Sequence, residues 1–439
     1  MAYTETTSKS WFSRLGSAFK GIAFGIALII AGTVLLWWNE GSFVATGDAL
    51  REAQGVTQEL GDISRLDASK NGQLVHAAGP VETNDILEDP IFGLSINAIR
   101  LERTVEFYQW TEQSQSETKQ KLGGGEETVT TYTYSARWTS SPVDSSQFKD
   151  PKAREENRNA ILAPMQNLKV QATNVTFGAY RLPEFLIGSI SGAVPLNANL
   201  SEAAIAKLNR ELAAVRGVSP PKPSAAAQTA EQELWQIYGG GAATENMEST
   251  QAPTQAAPQG AAQMVHVSGN TVFLGASTTT PQIGDVRVSF KETRPGTVSI
   301  LAKLNGDTFE QYRASNNKTV SQLAMGTHSL ENMYGSAHSS NATTTWILRL
   351  VGALLVCFGL GMVMAPLSVL VSVIPLLGDI VGAGTGLVSM LLGLAWSLVI
   401  ISIAWLRFRP VIGIAMLVVA GAFVALLYFK GHARKAAKA

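Results

Sequence analysis

The chain has one cysteine in 439 residues, and only 15% of its residues are charged. The lone thiol, Cys357, excludes an intrachain disulfide and any metal cluster built on cysteine. Basic and acidic residues balance at 34 each, so no overall field exists to recruit nucleic acid or acidic lipid. Histidine is scarce: His76, His266, His328, His338 and His432 are scattered, without the H-E-x-x-H spacing or the one-turn pair that a zinc site uses. The chain also lacks a G-x-S-x-G nucleophile turn, a Walker loop and a dinucleotide fingerprint behind a strand. Asp85, Glu88 and Asp89 in "NDILEDP" are acidic neighbours without calcium-loop spacing. What remains is a chain with no enzymatic constellation and no cofactor site, expected to be non-enzymatic.

What is abundant is apolar surface, at 46% of residues with a mean hydropathy of +0.12. Residues 21–38, "GIAFGIALIIAGTVLLWW", carry no charge and extend about 27 Å as a helix, close to a hydrocarbon core. A cleaved signal peptide would be shorter and end in small residues, whereas this run ends in Trp37 and Trp38, which suit the interfacial aromatic belt. A second apolar region, 346–429, contains only Arg349, Asp379, Arg407 and Arg409 as charges. Transmembrane helices are expected at 346–365, 385–406 and 411–429. Residues 366–384, with Pro366, Pro375, Gly378, Gly382 and Gly384, are poorly built for one continuous span and are expected to be re-entrant or interfacial. Lys9, Arg14 and Lys20 at one end and Lys430, Arg434, Lys435 and Lys438 at the other place both termini in the cytoplasm, which demands an even number of crossings. The fold class that follows is an α+β multi-pass membrane protein: residues 1–20 cytoplasmic, one N-terminal and three C-terminal helices, and a basic tail at 430–439.

Residues 39–343 then form one large block on the non-cytoplasmic side. Its strongest strand signal is "IRLERTVEFYQWTEQSQSETKQ" and "TVTTYTYSARWTS" around a glycine tip at 123–125, a long β-hairpin. Further strands are expected in "GQLVHAAGPVE", "LKVQATNVTF", "VRVSFKE" and "TVSILAKLNGD", and a helix over 200–216. Residues 217–264 are rich in Ala, Pro and Gln and form a mobile insertion that splits the block into 39–216 and 265–343.

The segments "NGQLVHAAGPVETNDILEDPIFGL", "RTVEFYQWTE", "YSARW" and "PQIGDVRVSF" resemble the LUMA family, also called transmembrane protein 43, in colinear order. The likeness extends to "NEG" after the first helix and to "AWLRFRP" between the last two. The departure is the long insertion at 217–264. The resemblance implies one N-terminal crossing, a large lumenal domain and three C-terminal crossings. It also implies a self-associating membrane organiser that holds other membrane proteins, such as emerin and lamins; a bacterial member would have neither partner. The location implied is a bacterial inner membrane with a periplasmic domain, or the endoplasmic reticulum or inner nuclear membrane in a eukaryote. A cation-conducting role belongs to the same resemblance.

The candidate residues follow from these two sources. Asp379 and Arg349 are the membrane charges: Asp379 either rests at an interface near a helix N-terminus or faces the bundle interior on an ion route. Gly21 and Gly25 have the spacing that lets helices approach, between chains or within one. Tyr108, Trp110, Tyr132, Tyr134 and Trp138 alternate along the hairpin as a partner face or as part of the domain's own core. The expected partners are membrane lipids, further copies of the chain and other membrane proteins, with no nucleic acid.

Overall fold

The computed structural model describes residues 2–217, 263–411 and 413–414, and of residues 375–379 the backbone alone. In chain order the main elements are β1 (Ala2–Lys9), α1 (Trp11–Val56), β2 (Leu74–Thr83), β3 (Arg100–Gln120), β4 (Glu126–Thr139), β5 (Val175–Phe177), α2 (Glu202–Arg216), β6 (Thr271–Leu274), β7 (Val286–Thr293), β8 (Thr297–Asn305), β9 (Gln322–Met325), α3 (Leu330–Val371) and α4 (Pro375–Phe408). The architecture is α+β: a β-rich domain stands on a bundle of three long helices, α1, α3 and α4, each apolar enough to cross a membrane.

Two sheets make the domain. The first runs β1-β4-β3-β7-β6, ending on the short strand Val265–Ser268; the second centres on β9, β8 and β2, with β5 on the far side of β2. Period-two alternation aims Leu101, Val105, Phe107, Val286, Val288 and Phe290 from the first sheet at Val75, Ala77, Val81, Phe177 and Ile300 from the second. The hairpin forms as the sequence foretells, with Gly123 and Gly124 at φ +88° and +79°, a conformation that disfavours any residue with a Cβ. Ser201 caps α2 by accepting from the Ala204 amide.

The helices do not stop at the edge of the apolar segments. Ala49, Leu50 and Ala53 of α1 and Met333 and Tyr334 of α3 pack with Leu74, Leu301, Ala314 and Val320 in a second core. The Thr57 and Tyr334 hydroxyls meet at 2.7 Å, and Glu52 accepts from Tyr312 at 2.9 Å. The bundle and the domain therefore share packed side chains. The helix expected over 21–38 and the strand-rich block expected from residue 39 overlap in one 46-residue helix.

Residues 366–384 fall within two helices and the turn between them, and the re-entrant or interfacial segment expected there is not shown as a separate element. Pro366 lies inside α3, which continues to Val371, the chain turns at 372–374, and α4 starts at Pro375. Proline at the first helical position loses no hydrogen bond, so Pro375 starts the helix where the sequence suggested a break. All of the expected fourth span at 411–429 except residues 411, 413 and 414, the whole tail at 430–439 and almost all of the insertion at 217–264 lie outside the described residues.

Two further features go beyond what the sequence signals. The N-terminal segment is a strand: β1 pairs antiparallel with β4, Tyr3 opposite Tyr132 and Lys9 opposite Glu126. The hairpin tip, expected among the outer domain, reaches the opposite end of the bundle. There the Gly123 amide donates to the Val373 carbonyl at 3.1 Å, Arg14 donates to the Gly124 carbonyl at 2.6 Å and pairs with Glu126 at 2.9 Å, and Gly124 packs on the Trp11 ring.

Candidate functional site

The three helices meet at a buried polar cluster just below the domain. Glu40 of α1 is buried; its Oε1 accepts from Arg349 Nε of α3 at 2.6 Å and its Oε2 from the second guanidinium nitrogen at 2.8 Å. Trp405 of α4 donates its indole N–H to the same Oε2 at 2.7 Å. The Arg349 guanidinium also lies over the Trp346 ring at 4.7 Å and the Trp405 ring at 5.7 Å. One carboxylate thus satisfies donors from two other helices in the fork geometry that suits arginine.

The neighbours of Glu40 extend the cluster. Asn39, also buried, donates to the Thr345 carbonyl at 3.1 Å, and a Cβ on Gly41 would come within 2.8 Å of the Phe408 ring, so glycine admits that ring. Arg409 lies over Phe43 at 4.8 Å. The "NEG" and "AWLRFRP" stretches, separated by more than 350 residues, are therefore two sides of one contact. Residue spacing does not reveal this, because Glu40 and Trp405 come together only when α1 and α4 both pack on α3. Tryptophans at 37, 38, 346 and 405 gather at this level, as at a membrane–water interface.

Arg349, proposed from sequence as a membrane charge on a possible pathway, is instead neutralised by Glu40, a residue the sequence reading did not single out. Asp379 lies on the second turn of α4, away from this cluster along the helix; its side chain is outside the described residues.

The glycine pair also changes partners. An added Cβ at Gly25 would stand 2.6 Å from the Gly359 carbonyl oxygen, and one at Gly359 would stand 2.6 Å from the Gly25 carbonyl oxygen, whereas Gly21 has nothing within 4 Å. Gly32 meets the Gly352 carbonyl in the same way at 2.8 Å. The close-packed stripe is thus Gly25 and Gly32 on Gly359 and Gly352, two turns apart on each helix and within one chain; Gly21 takes no part. Backbone cannot yield as a flexible side chain does, so Gly359→Ala should separate α1 from α3 and destabilise the bundle by about 1–3 kcal/mol. Gly21→Ala should leave it unchanged. Heating in detergent followed by size-exclusion chromatography reads the difference.

The hairpin aromatics share one face. Tyr108 stacks on Trp138 at 5.3 Å, Trp138 meets Phe273 edge-on at 6.1 Å and carries Arg287 over its ring at 4.5 Å. Tyr134 packs on Phe148, donates to Glu112 at 2.7 Å and accepts from the Asp150 amide at 3.0 Å; Tyr132 sits beside Tyr3. Trp110 is held through its backbone by Asn159. All five are half-buried.

The acidic stretch of the domain is divided among separate tasks. Asp85 accepts from the Thr173 and Asn174 amides, and hydrogen bonds led by the Asn174 amide hold its carboxyl below the usual range. Asp89, fully buried, takes one guanidinium nitrogen of Arg103 on both oxygens at 2.7 Å. Among the described residues no three acidic, histidine or cysteine side chains converge in a way that suits a metal ion.

A β-rich domain fused to a stem of three apolar helices, locked by a buried ion pair at the junction, defines an integral membrane protein. The sequence profile of the family described as Transmembrane protein 43 matches residues 107–410, and the chain belongs to that family. Transmembrane protein 43 of Rattus norvegicus is 24% identical over 408 residues, covering 93% of this chain and 89% of that protein. The Homo sapiens protein is 24% identical over 417 residues, covering 92% and 89%. The Drosophila melanogaster homolog is 26% identical over 407 residues, covering 91% of each. No solved structure matches the chain.

Proposed function

We propose that this protein is a non-enzymatic membrane scaffold that associates with copies of itself and organises other membrane proteins through its large domain, held on the non-cytoplasmic side. The observation that carries this reading is the continuity of α1 and α3 from the apolar bundle into the domain's second core. A domain mounted this way keeps a fixed pose above the membrane, which serves a protein that positions others. The Glu40–Arg349–Trp405 cluster fits the same role, since its donors and acceptor are spent on each other and it joins three helices at the junction. Basic residues near the N-terminus favour a cytoplasmic start for α1, which sets the domain on the opposite face.

The test is the mass of the full chain, purified in mild detergent, together with amine cross-linking in native membranes. The expected result is a homo-oligomer of fixed size that cross-links to itself and to neighbouring membrane proteins. A species of one-chain mass, 46.7 kDa plus detergent, with no cross-linked neighbour, overturns the proposal.

A further inference from the structure

The three-stranded ribbon of β1, β4 and the outer half of β3 is fixed at both ends. Its base lies in the domain, where Phe107 is buried in the main core, and its tip is bonded to Arg14 and Val373 at the far end of the bundle. Residues 108–120 extend about 43 Å at about 3.3 Å per residue, so the ribbon runs beside the apolar helices at the same depth.

The ribbon is not made for lipid. Residues 2–9, 113–120 and 126–133 read AYTETTSK, QSQSETKQ and EETVTTYT, where only Ala2, Tyr3, Val129 and Tyr132 are apolar or aromatic. Alternation does not collect these on one side. Glu117, Val129 and Thr6 form one row and Lys119, Glu127 and Ser8 another on one face, while Ser116, Thr130 and Glu5 lie on the other. A strand that faces acyl chains shows an apolar outer band, and neither face has one. Residues 113–119 and most of β1 are exposed.

Both edges of the ribbon are also open. Tyr108 and Trp110 turn their backbone groups away from β4, toward Gly284, Asp285 and Asn159. By alternation, the outward groups beyond them belong to Glu112, Ser114, Ser116 and Thr118. Among the described residues no strand pairs with that stretch, and β1 pairs with β4 alone. The two edges are level, since Ser114, Tyr132 and Tyr3 share one row and Gln120, Glu126 and Lys9 another. They run in the same direction, because each is antiparallel to β4.

We infer that copies of this chain join through these edges, β1 of one copy beside β3 of the next, closing the ribbons into a polar ring inside an annulus of helices. Water, not lipid, then bathes the ribbon. The occupant is a second copy because the same chain presents the matching edge at the same depth and in the same direction. Unlike edges joined head to tail generate a ring where the rotation closes, and open Thr-rich edges are templates for strand pairing. The inference rests on the self-association proposed above and adds the surface that makes it.

The experiment uses the full chain. Ser116→Pro and Thr6→Pro each remove an outward N–H while sparing the bonds to β4, a place where an edge strand tolerates proline. Each should reduce the assembly to one-chain mass with unchanged circular dichroism. In a Cys357→Ser background, Thr4→Cys combined in turn with Gln113→Cys, Gln115→Cys and Glu117→Cys, which share its face of the ribbon, should give, in one of the three pairings, a chain-to-chain disulfide ladder in membranes that neither single variant gives. If a proline variant loses its circular dichroism, the ladder alone decides. An oligomer whose mass resists both prolines and forms no ladder refutes edge pairing and leaves self-association standing. A wild-type chain of one-chain mass refutes both.

Discussion

Glu40→Ala should cost about 3–5 kcal/mol of stability, because it leaves the guanidinium of Arg349 buried without its counter-charge. The Arg349 side chain is only 12% exposed and Glu40 is 1% exposed, so neither partner can turn to water. The same change strips the Trp405 indole of its acceptor. Arg349→Ala should be equally harmful for the converse reason. Replacing both at once, Glu40→Met with Arg349→Met, should recover most of the loss, since exchanging a buried pair for apolar residues is often neutral or stabilising. Thermal melts of the four proteins in detergent, read by size-exclusion chromatography, give the coupling directly. Single variants within about 0.5 kcal/mol of wild type would mean that water reaches the cluster.

Asp89→Ala should have an effect of the same size, about 3–5 kcal/mol, but in the domain and not in the stem. Arg103 donates to both Asp89 oxygens and also to the Gln166 carbonyl at 3.0 and 3.2 Å, and it lies over Phe92 at 5.8 Å. The Ile91 and Phe92 amides add two more donors to the Asp89 carboxylate. Removing it leaves a cation and two amides under-satisfied beneath the sheet. Asp85→Ala, four residues away and half-buried, is the comparison: it removes a carboxylate that accepts from the Thr173 and Asn174 amides but strands no buried cation, and should cost less, about 0.5–2 kcal/mol. Limited proteolysis of the whole chain in detergent separates the two outcomes: the Asp89 variant should be cut within residues 84–104 at temperatures where the Asp85 variant and wild type stay intact. Equal resistance of all three would show that the pair contributes little.

Much of this protein was legible along the chain because its signals are periodic. The hairpin, β2, β7, β8 and α2 all appear where alternation or helical spacing places them, and β-branched and aromatic residues mark the strands. The apolar runs marked the membrane segments for the same reason. What misled was punctuation. Pro366 and Pro375 read as breaks in one segment, yet one lies inside a helix and the other starts the next, and the difference depends on which backbone groups the surroundings satisfy. The short strand β1 was invisible because its own residues bury nothing; it exists by pairing with β4. The ion pair was half visible, since Arg349 stood out in apolar sequence while Glu40 looked like a residue just past the end of a helix.

By itself the sequence determined composition-driven properties: an apolar stem, a β-rich domain and a charge balance without a long-range field. These depend on nearest neighbours and on periods of two or 3.6 residues, which are written locally. Only the tertiary structure decided that Asn39, Glu40 and Gly41 meet Thr345, Arg349, Trp405 and Phe408, that Gly25 faces Gly359 and not another chain, and that a polar ribbon stands level with the membrane helices. Those contacts join residues hundreds of positions apart. Their partners are selected by how helices and strands pack, which no local pattern encodes.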